Sequence, residues 1–411
     1  MTLYMSPQFA SACAAGTDWR DTAKAVLEKL ESAKTPGVSF NLGFLYVSDH
    51  LVRDAGNILN LFRDVLGIKH WTGAVGVGVC GVGEEHIDRP AITALIGAFD
   101  PKNFCVFPAG GADTKAQEKV LKPWLEENDP MLIVVHGDPL ADEDPVHTLQ
   151  KFGNSSRGFL MGGLSSSRQE QVQFSGTKMQ KNGISGVAFS QDIPVATSLS
   201  QGCMPIGPVH TITSGNDHMI ATLDSRPVID VFEEEMRALT IKKIERDPDT
   251  ILVPEAAASD MSLIPEEFQR LFKGEVSVAF PVSGTDQNDY LVRNIIGVNE
   301  DNALLISQHV TSGETLRFVY RDEETIRQDL SKTLVELRER VTRSTGSFTP
   351  KGALYISCAA RAFYGTGNPD HSEMKLVHDI IGDVPLAGFY AGGEICNARL
   401  YGYTGVLTLF L

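Results

Sequence analysis

"GALYISCAARAF" (352–363), "HSEMKLVHDIIG" (371–382) and "PLAGFYAGGEI" (385–395) follow one another near the end of the chain. An apolar run ends in Cys358, a helical segment places Met374, Val377, His378 and Ile381 on one face, and a second apolar run stops in Gly392, Gly393 and Glu394. Strand, crossover helix, strand is the pattern of a parallel βαβ unit. A glycine pair at the end of such a strand lets the chain turn sharply or lets a ligand or another backbone come close.

The same order occurs twice earlier. "NLGFLYVSDH" (41–50) is followed by Ala55, Ile58, Leu59, Phe62, Val65 and Leu66 at helical spacing, by Gly67 as a stop, and by "WTGAVGVGVCGVG" (71–83). "MLIVVHGDP" (131–139), "PVHTLQKF" (145–152) and "RGFLMGGLSSS" (157–167) repeat it. Each first strand ends in a small or polar residue, Ser48, His136 or Cys358, and each second strand is laced with glycine, including Gly162 and Gly163. Ligands of α/β sheets collect beyond the carboxyl ends of parallel strands, so these ends are expected to converge on one or two clefts. Close packing of helix on sheet is the alternative use of the glycines, and it stays open at this point.

Around these units the spacing predicts a helix over Asp18 to Glu31 and a long one over Glu323 to Arg343. Between the second and third units, short β-like runs such as "GPVHTITSG", "HMIATLD", "EVSVAFPVS" and "LRFVYR" are separated by turn residues, as antiparallel hairpins require. The expected fold is α/β, with two domains of mixed parallel and antiparallel sheets flanked by helices in a layered sandwich. The boundary between the two domains is expected within Asp224 to Glu266, rich in Pro, Ala, Ser and Asp in its second half.

Composition bounds the function. The 411 residues are 42% hydrophobic and 21% charged, and 52 acidic against 36 basic residues give a net charge of −16, which repels nucleic acid and anionic membranes. No run approaches the ~18 apolar residues of a membrane span, and the first 20 residues lack a secretory n-region and h-region. Six cysteines without any C-x-x-C are expected to be free thiols in a reducing cytoplasm.

Four motifs, "QGCMPIGPVHTITSGNDHMIATLDSRPVIDVF" (201–232), "NDYLVRNIIGVN" (288–299), "ISCAARAFYG" (356–365) and "GFYAGGEICNARLYGYTGVLTLF" (388–410), occur in the order of the FIST family, which this chain resembles over nearly its whole length. Cys358 and Arg361 match the family's Cys-x-x-Arg segment; Gly393, Glu394 and Ile395 match its Gly-Glu-Ile segment; Ala362 stands where members often carry Gly. The resemblance implies a lead-in with a helix over residues 1–35, a FIST N-terminal domain over 36–223 and a FIST C-terminal domain over 224–411, in a stand-alone sensory module that binds a small, amino-acid-like ligand and signals to a separate protein. For some members it implies haem, nitric-oxide sensing and regulation of a partner histidine kinase.

With that resemblance, the expected ligand-binding residues are Cys358, Arg361, Gly392, Gly393, Glu394, His136, Gly162 and Gly163. Glu394 suits an amine and Arg361 a carboxylate, the two ends of an amino acid. An internal ion pair between Arg361 and Glu394 is the competing arrangement. Cys358 and His136 have the chemistry of a nucleophile and a base, but no enzyme motif accompanies them, so catalysis is not expected. If haem is bound, His378 is the candidate proximal ligand, with His371 on the same stripe and His210, His218 and His309 as other histidines in β-rich segments.

Overall fold

The structure is a computed structural model that describes residues 8–246, 275–282, 290–363 and 372–411. Its contacts divide the chain into two compact units, 1–200 with 330–411, and 201–329.

The first unit is built from three repeats of one pattern. Repeat one runs β1 (Gln8–Ala15), α1 (Trp19–Ala33), β2 (Leu42–Ser48), α2 (Ala55–Leu66), β3 (His70–Gly76), a hairpin β4 (Gly78–Gly81) and β5 (Glu84–Ile87), then β6 (Ala91–Ala98). Repeat two is β7 (Phe104–Gly110), α3 (Lys115–Glu127), β8 (Pro130–Gly137), α4 (Pro145–Ser156), β9 (Phe159–Leu164), the hairpin β10 (Gln173–Ser175) and β11 (Lys178–Gln180), then β12 (Ile184–Ser190). Repeat three opens with β13 (Val195–Ser200) and is interrupted by the second unit.

That second unit contains β14 (Met204–Pro205), β15 (His210–Asn216), β16 (Met219–Leu223), β17 (Arg226–Pro227), α5 (Val228–Arg246), β18 (Val276–Pro281), β19 (Tyr290–Val298), β20 (Leu304–Ile306) and β21 (Thr315–Tyr320). Repeat three then resumes with α6 (Glu323–Thr345), which crosses the division at residue 330, followed by β22 (Gly352–Cys358), α7 (Glu373–Ile381), β23 (Leu386–Ala391), the hairpin β24 (Glu394–Cys396) and β25 (Arg399–Tyr401), and β26 (Gly405–Phe410).

Each repeat makes one sheet, and each sheet is completed by a hairpin from a different repeat. The strand orders are β1-β6-β2-β3-β10-β11, β7-β12-β8-β9-β24-β25 and β13-β26-β22-β23-β4-β5. The pairs β2/β3, β8/β9 and β22/β23 are parallel, as the βαβ reading requires, and the other pairings in these sheets are antiparallel. Donation is cyclic: repeat one gives its hairpin to sheet three, three to two, and two to one.

The helices cover the outer faces, with Val26, Leu30, Ile58 and Phe62 on sheet one, Leu121, Leu149 and Phe152 on sheet two, and Leu334, Leu337, Met374 and Val377 on sheet three. The inner faces share an aromatic core in which Phe44, Phe189 and Phe410, one from each sheet, lie with ring centroids 5.5 to 6.5 Å apart.

Glycine permits this architecture at two kinds of place. A Cβ at Gly73, Gly162 or Gly388 would collide with the carbonyl oxygen of Leu45, Val135 or Tyr355, the residue paired with it in the parallel strand. Small residues also mark the points where the chain leaves one sheet for the next: Gly76 to Gly78, Ser165 to Ser167, and Gly392 with Gly393. These crossings touch one another. The Ser166 hydroxyl accepts from Val77 N at 2.9 Å and donates to Tyr390 O at 2.5 Å, and Gly392 N donates to Leu164 O at 2.9 Å. The run "WTGAVGVGVCGVG", read as one strand, is therefore two strands in different sheets.

In the second unit, β21, β15, β16, β20, β19 and β18 pair antiparallel in sequence around a closed path, since β18 also pairs with β21. The barrel is filled by Ile212, Ile220, Val278 and Phe318, with Val228, Val231 and Met236 of α5 packed against them. Antiparallel hairpins were expected here; that the segment is an insertion within repeat three was not. The expected boundary at 223/224 lies inside this unit, and much of the Pro/Ala-rich stretch that suggested it falls outside the described residues, as does His371.

His210 clamps this unit. Its Nδ1 lies 2.6 Å from Asp224 Oδ2 and its Nε2 2.6 Å from Glu235 Oε1. Burial lowers the imidazole's affinity for protons, but the two carboxylates outweigh it and the net shift is upward. A raised histidine contributes stability that is complete below its unfolded value of ~6.5 and is lost as pH rises through the folded value. Hydrogen exchange at β15 and β16 is expected to speed up as pH is raised from 6.5, beyond the intrinsic base catalysis of exchange. His210→Gln should remove that excess acceleration.

Candidate functional site

The carboxyl end of β22 and the start of β24 bring Cys358, Arg361 and Glu394 together, as the sequence suggested, but not as an ion pair between the last two. Arg361 follows β22 in a short 3-10 turn, and its buried guanidinium pairs with Glu373, the first residue of α7. It also donates to the Ser200 carbonyl at 3.2 Å and reaches the Ser200 hydroxyl at 3.3 Å. Glu373 in turn accepts from the Ser357 hydroxyl at 2.7 Å. Tyr355 directs its hydroxyl at this group, and a Cβ at Gly405 would stand 2.6 Å from that hydroxyl and 3.3 Å from Arg361 Nη1.

Glu394 is fully buried. One oxygen accepts from Thr404 N at 2.9 Å and Thr404 Oγ1 at 2.8 Å, while Oε1 has no directed hydrogen bond among the described residues. Burial pushes the carboxyl up to about 7, against the opposing pull of the Thr404 donors, the Cys358 thiol and the Arg361 charge. Cys358 is itself pushed up to about 12 by burial and then by the charge of Glu394, so it is a protonated thiol at neutral pH.

A third carboxylate completes the cluster from another repeat. Glu85, on the donated β4–β5 hairpin, accepts from the Tyr390 hydroxyl at 2.7 Å and from Met374 N at 3.3 Å, and burial, then Tyr390's counteracting hydrogen bond and the charge of Glu373, leave its carboxyl raised. Among the described residues Arg361 stands beside Glu373 and Glu394, and Glu85 adds its charge next to Glu373.

The remaining predicted residues are placed elsewhere or serve the backbone. His136 is fully buried between sheets one and two, with Nε2 3.2 Å from the Tyr46 hydroxyl and Nδ1 3.2 Å from Thr72 Oγ1. Burial pushes it down to about 3, so it is a neutral imidazole joining two sheets. Gly162 lies against the Val135 carbonyl, and the space beside Gly163 is filled by Ala391 and Ile356. Gly392 faces the Ser165 carbonyl and Gly393 the Leu400 side chain. Gly163 pairs directly with Glu394 in the β9/β24 ladder, so these glycines set where that carboxylate stands.

His378 lies beside the buried stripe of Met374, Val377 and Ile381 rather than within it. Its side chain is 36% exposed and its Nε2 is 2.8 Å from Asp383 Oδ1. A proximal haem ligand needs a free imidazole nitrogen in an apolar pocket, and the surroundings of His378 do not fit that requirement.

Glu373, Ser200, Thr404 and Glu85, with Ser357, Tyr355 and Tyr390, are partners in the site that went unread in the sequence. Only Glu373 carried a signal, an acid opening a helix immediately after a capping serine, Ser372.

The sequence matches the FIST N domain over residues 41–226 and the FIST C domain over residues 258–397. The chain belongs to the FIST family. FIST domains are sensory domains of signal transduction. The two family domains and the two compact units divide the chain differently, because the barrel takes its strands from the end of FIST N and from FIST C.

Among curated relatives, uncharacterized protein Rv0628c of Mycobacterium tuberculosis (strain ATCC 25618 / H37Rv) is 28% identical over 220 residues, covering 52% of this FIST chain and 50% of the relative. Uncharacterized protein Mb0898c of Mycobacterium bovis (strain ATCC BAA-935 / AF2122/97) is 27% identical over 237 residues, covering 56% and 54%. The chain spans about half the length of the curated relatives it matches. Among solved structures, T. maritima PurL complexed with ADP aligns with 98% of this chain and 71% of its own at 10% identity, with a TM-score of 0.23, too low to carry an argument. Among the described residues no helix is long and apolar enough to cross a membrane.

Proposed function

We propose that this FIST chain binds a small molecule bearing an ammonium group at Glu394 and passes its occupancy to a separate signalling partner. The observation that carries the reading is Glu394 Oε1, a fully buried carboxylate oxygen that, among the described residues, has the Cys358 thiol nearby but no N–H or hydroxyl donor. An ammonium donor would satisfy that oxygen and stabilise the ionised form. Because Arg361 is already engaged by Glu373, the ligand's amine is the recognised end, and a carboxylate on the ligand is not required.

Glu394 is reached only by a local opening, so binding is coupled to a change in conformation, as a sensor needs. The protonated Cys358 thiol supports binding without covalent chemistry.

The test is a thermal-shift screen of the common amino acids, their decarboxylated amines, matched carboxylic acids and haem, with mass spectrometry of what is recovered. Amines are expected to raise the melting temperature and to be recovered unchanged, with about 2.7 kcal/mol of stabilisation at a hundredfold excess over Kd. Turnover of a stabilising compound would replace this reading with an enzyme. Stoichiometric haem uptake with no response to amines would replace it with the haem reading.

A further inference from the structure

Apart from the buried acid cluster, the β4–β5 hairpin carries a second group of chemistry-bearing side chains on its other face. Glu84 and His86 are two residues apart on β5 and therefore project from the same side of the strand. Cys13, on the neighbouring edge strand β1, faces them across Gly81. A Cβ at Gly81 would stand 2.7 Å from Cys13 Cβ and 3.6 Å from both Cys13 Sγ and Glu84 Cγ, so the bare glycine leaves the space between Cys13 and Glu84 open.

One donor atom from each of Cys13, Glu84 and His86 lies within 4.8 Å of the other two. His86 Nε2 faces Glu84 Oε2 at 3.3 Å, and its buried Nδ1 has no directed hydrogen bond among the described residues. An imidazole with one buried nitrogen unpartnered and the other beside a carboxylate is a group that a metal ion would complete.

We propose that Cys13, Glu84 and His86 bind one zinc ion between β1 and the β4–β5 hairpin. Thiolate, imidazole and carboxylate form a donor set suited to zinc and unsuited to magnesium or calcium. In a tetrahedral site with bonds of about 2.0 to 2.3 Å the donors stand roughly 3.3 to 3.8 Å apart, so small side-chain rotations close the present arrangement. Three protein ligands would leave a fourth position for a water molecule. Zinc displaces the Cys13 proton to solvent as the sulfur–zinc bond forms, with no change of oxidation state.

The ion would fasten the donated hairpin of repeat one to the edge of its own sheet. Lys29, which donates to the Cys13 carbonyl at 2.6 Å, places a positive charge beside the ligands and weakens the binding of any cation.

The test uses the full chain, reduced and stripped with a chelator, then titrated with Co²⁺ as a spectroscopic probe and with Zn²⁺ against a chromophoric competitor. One Co²⁺ per chain is expected, with a thiolate-to-cobalt charge-transfer band. Cys13→Ser should abolish the band, His86→Ala should weaken both metals at least about tenfold, and Lys29→Met should tighten them. A folded parent that takes up no Co²⁺, or a band that survives Cys13→Ser, would overturn the proposal. If Cys13→Ser does not fold, the rim variant His86→Ala decides, and unchanged metal affinity in it rejects the site.

Discussion

Between pH 5 and pH 8 the parent protein is expected to lose stability that the Glu394→Gln variant keeps, a difference on the order of 3 kcal/mol by pH 8. The sign follows from the direction of the shift. Glu394 is held at about 7 in the folded protein against 4.5 for an ordinary glutamate, so between these values the folded state binds a proton that the unfolded state has released. Stability then falls as pH rises through that window and levels off above 7. Glutamine keeps the size and can still accept from Thr404 but has no charge to bury. Other groups, Glu85 and His210 among them, titrate in both proteins and cancel in the comparison. Urea denaturation of both proteins at a series of pH values measures the difference, and parallel pH profiles would show that Glu394 is ionised and solvated.

Arg361→Met is expected to cost about 3 to 5 kcal/mol, because it leaves Glu373 in a partly buried position without its counter-charge and strands the Ser200 acceptors. The geometry predicts a strong coupling: adding Glu373→Gln to Arg361→Met should recover much of the loss, since the uncompensated charge is then gone. Chemical denaturation of the two single variants and the double variant closes the cycle. Additive losses would mean that the two side chains do not act as a pair.

How much of this could be read in advance depended on whether a feature was local. The helices and strands of the three βαβ units were legible because their apolar positions keep one period throughout, and Asp18 and Gly67 mark helix ends as the start and stop rules expect, Asp18 accepting from Arg20 N and Asp21 N and Gly67 adopting a left-handed φ of 70°. The exchange of hairpins was not legible. Nothing local in "AVGVGVC" says that β3 and β4 lie in different sheets, since both are apolar and buried. The same limit applies to the site. Cys358 and Glu394 stood out because one ends a strand and the other begins one directly after a glycine pair, whereas Ser200 and Thr404 reach the site through strands that are neighbours only in the folded sheet. His136 looked chemically available in sequence, yet its partners Tyr46 and Thr72 come from another repeat.

Isothermal titration with amines selected from the screen, at pH 6 and pH 8.5 in buffers of different ionisation heat, tests the central claim most directly. If an ammonium group binds the ionised Glu394, binding at pH 6 releases a proton from the carboxyl, binding at pH 8.5 releases none from it, and Glu394→Gln abolishes binding while remaining folded. Equal affinity of parent and Glu394→Gln, with no proton release at pH 6, would contradict the account.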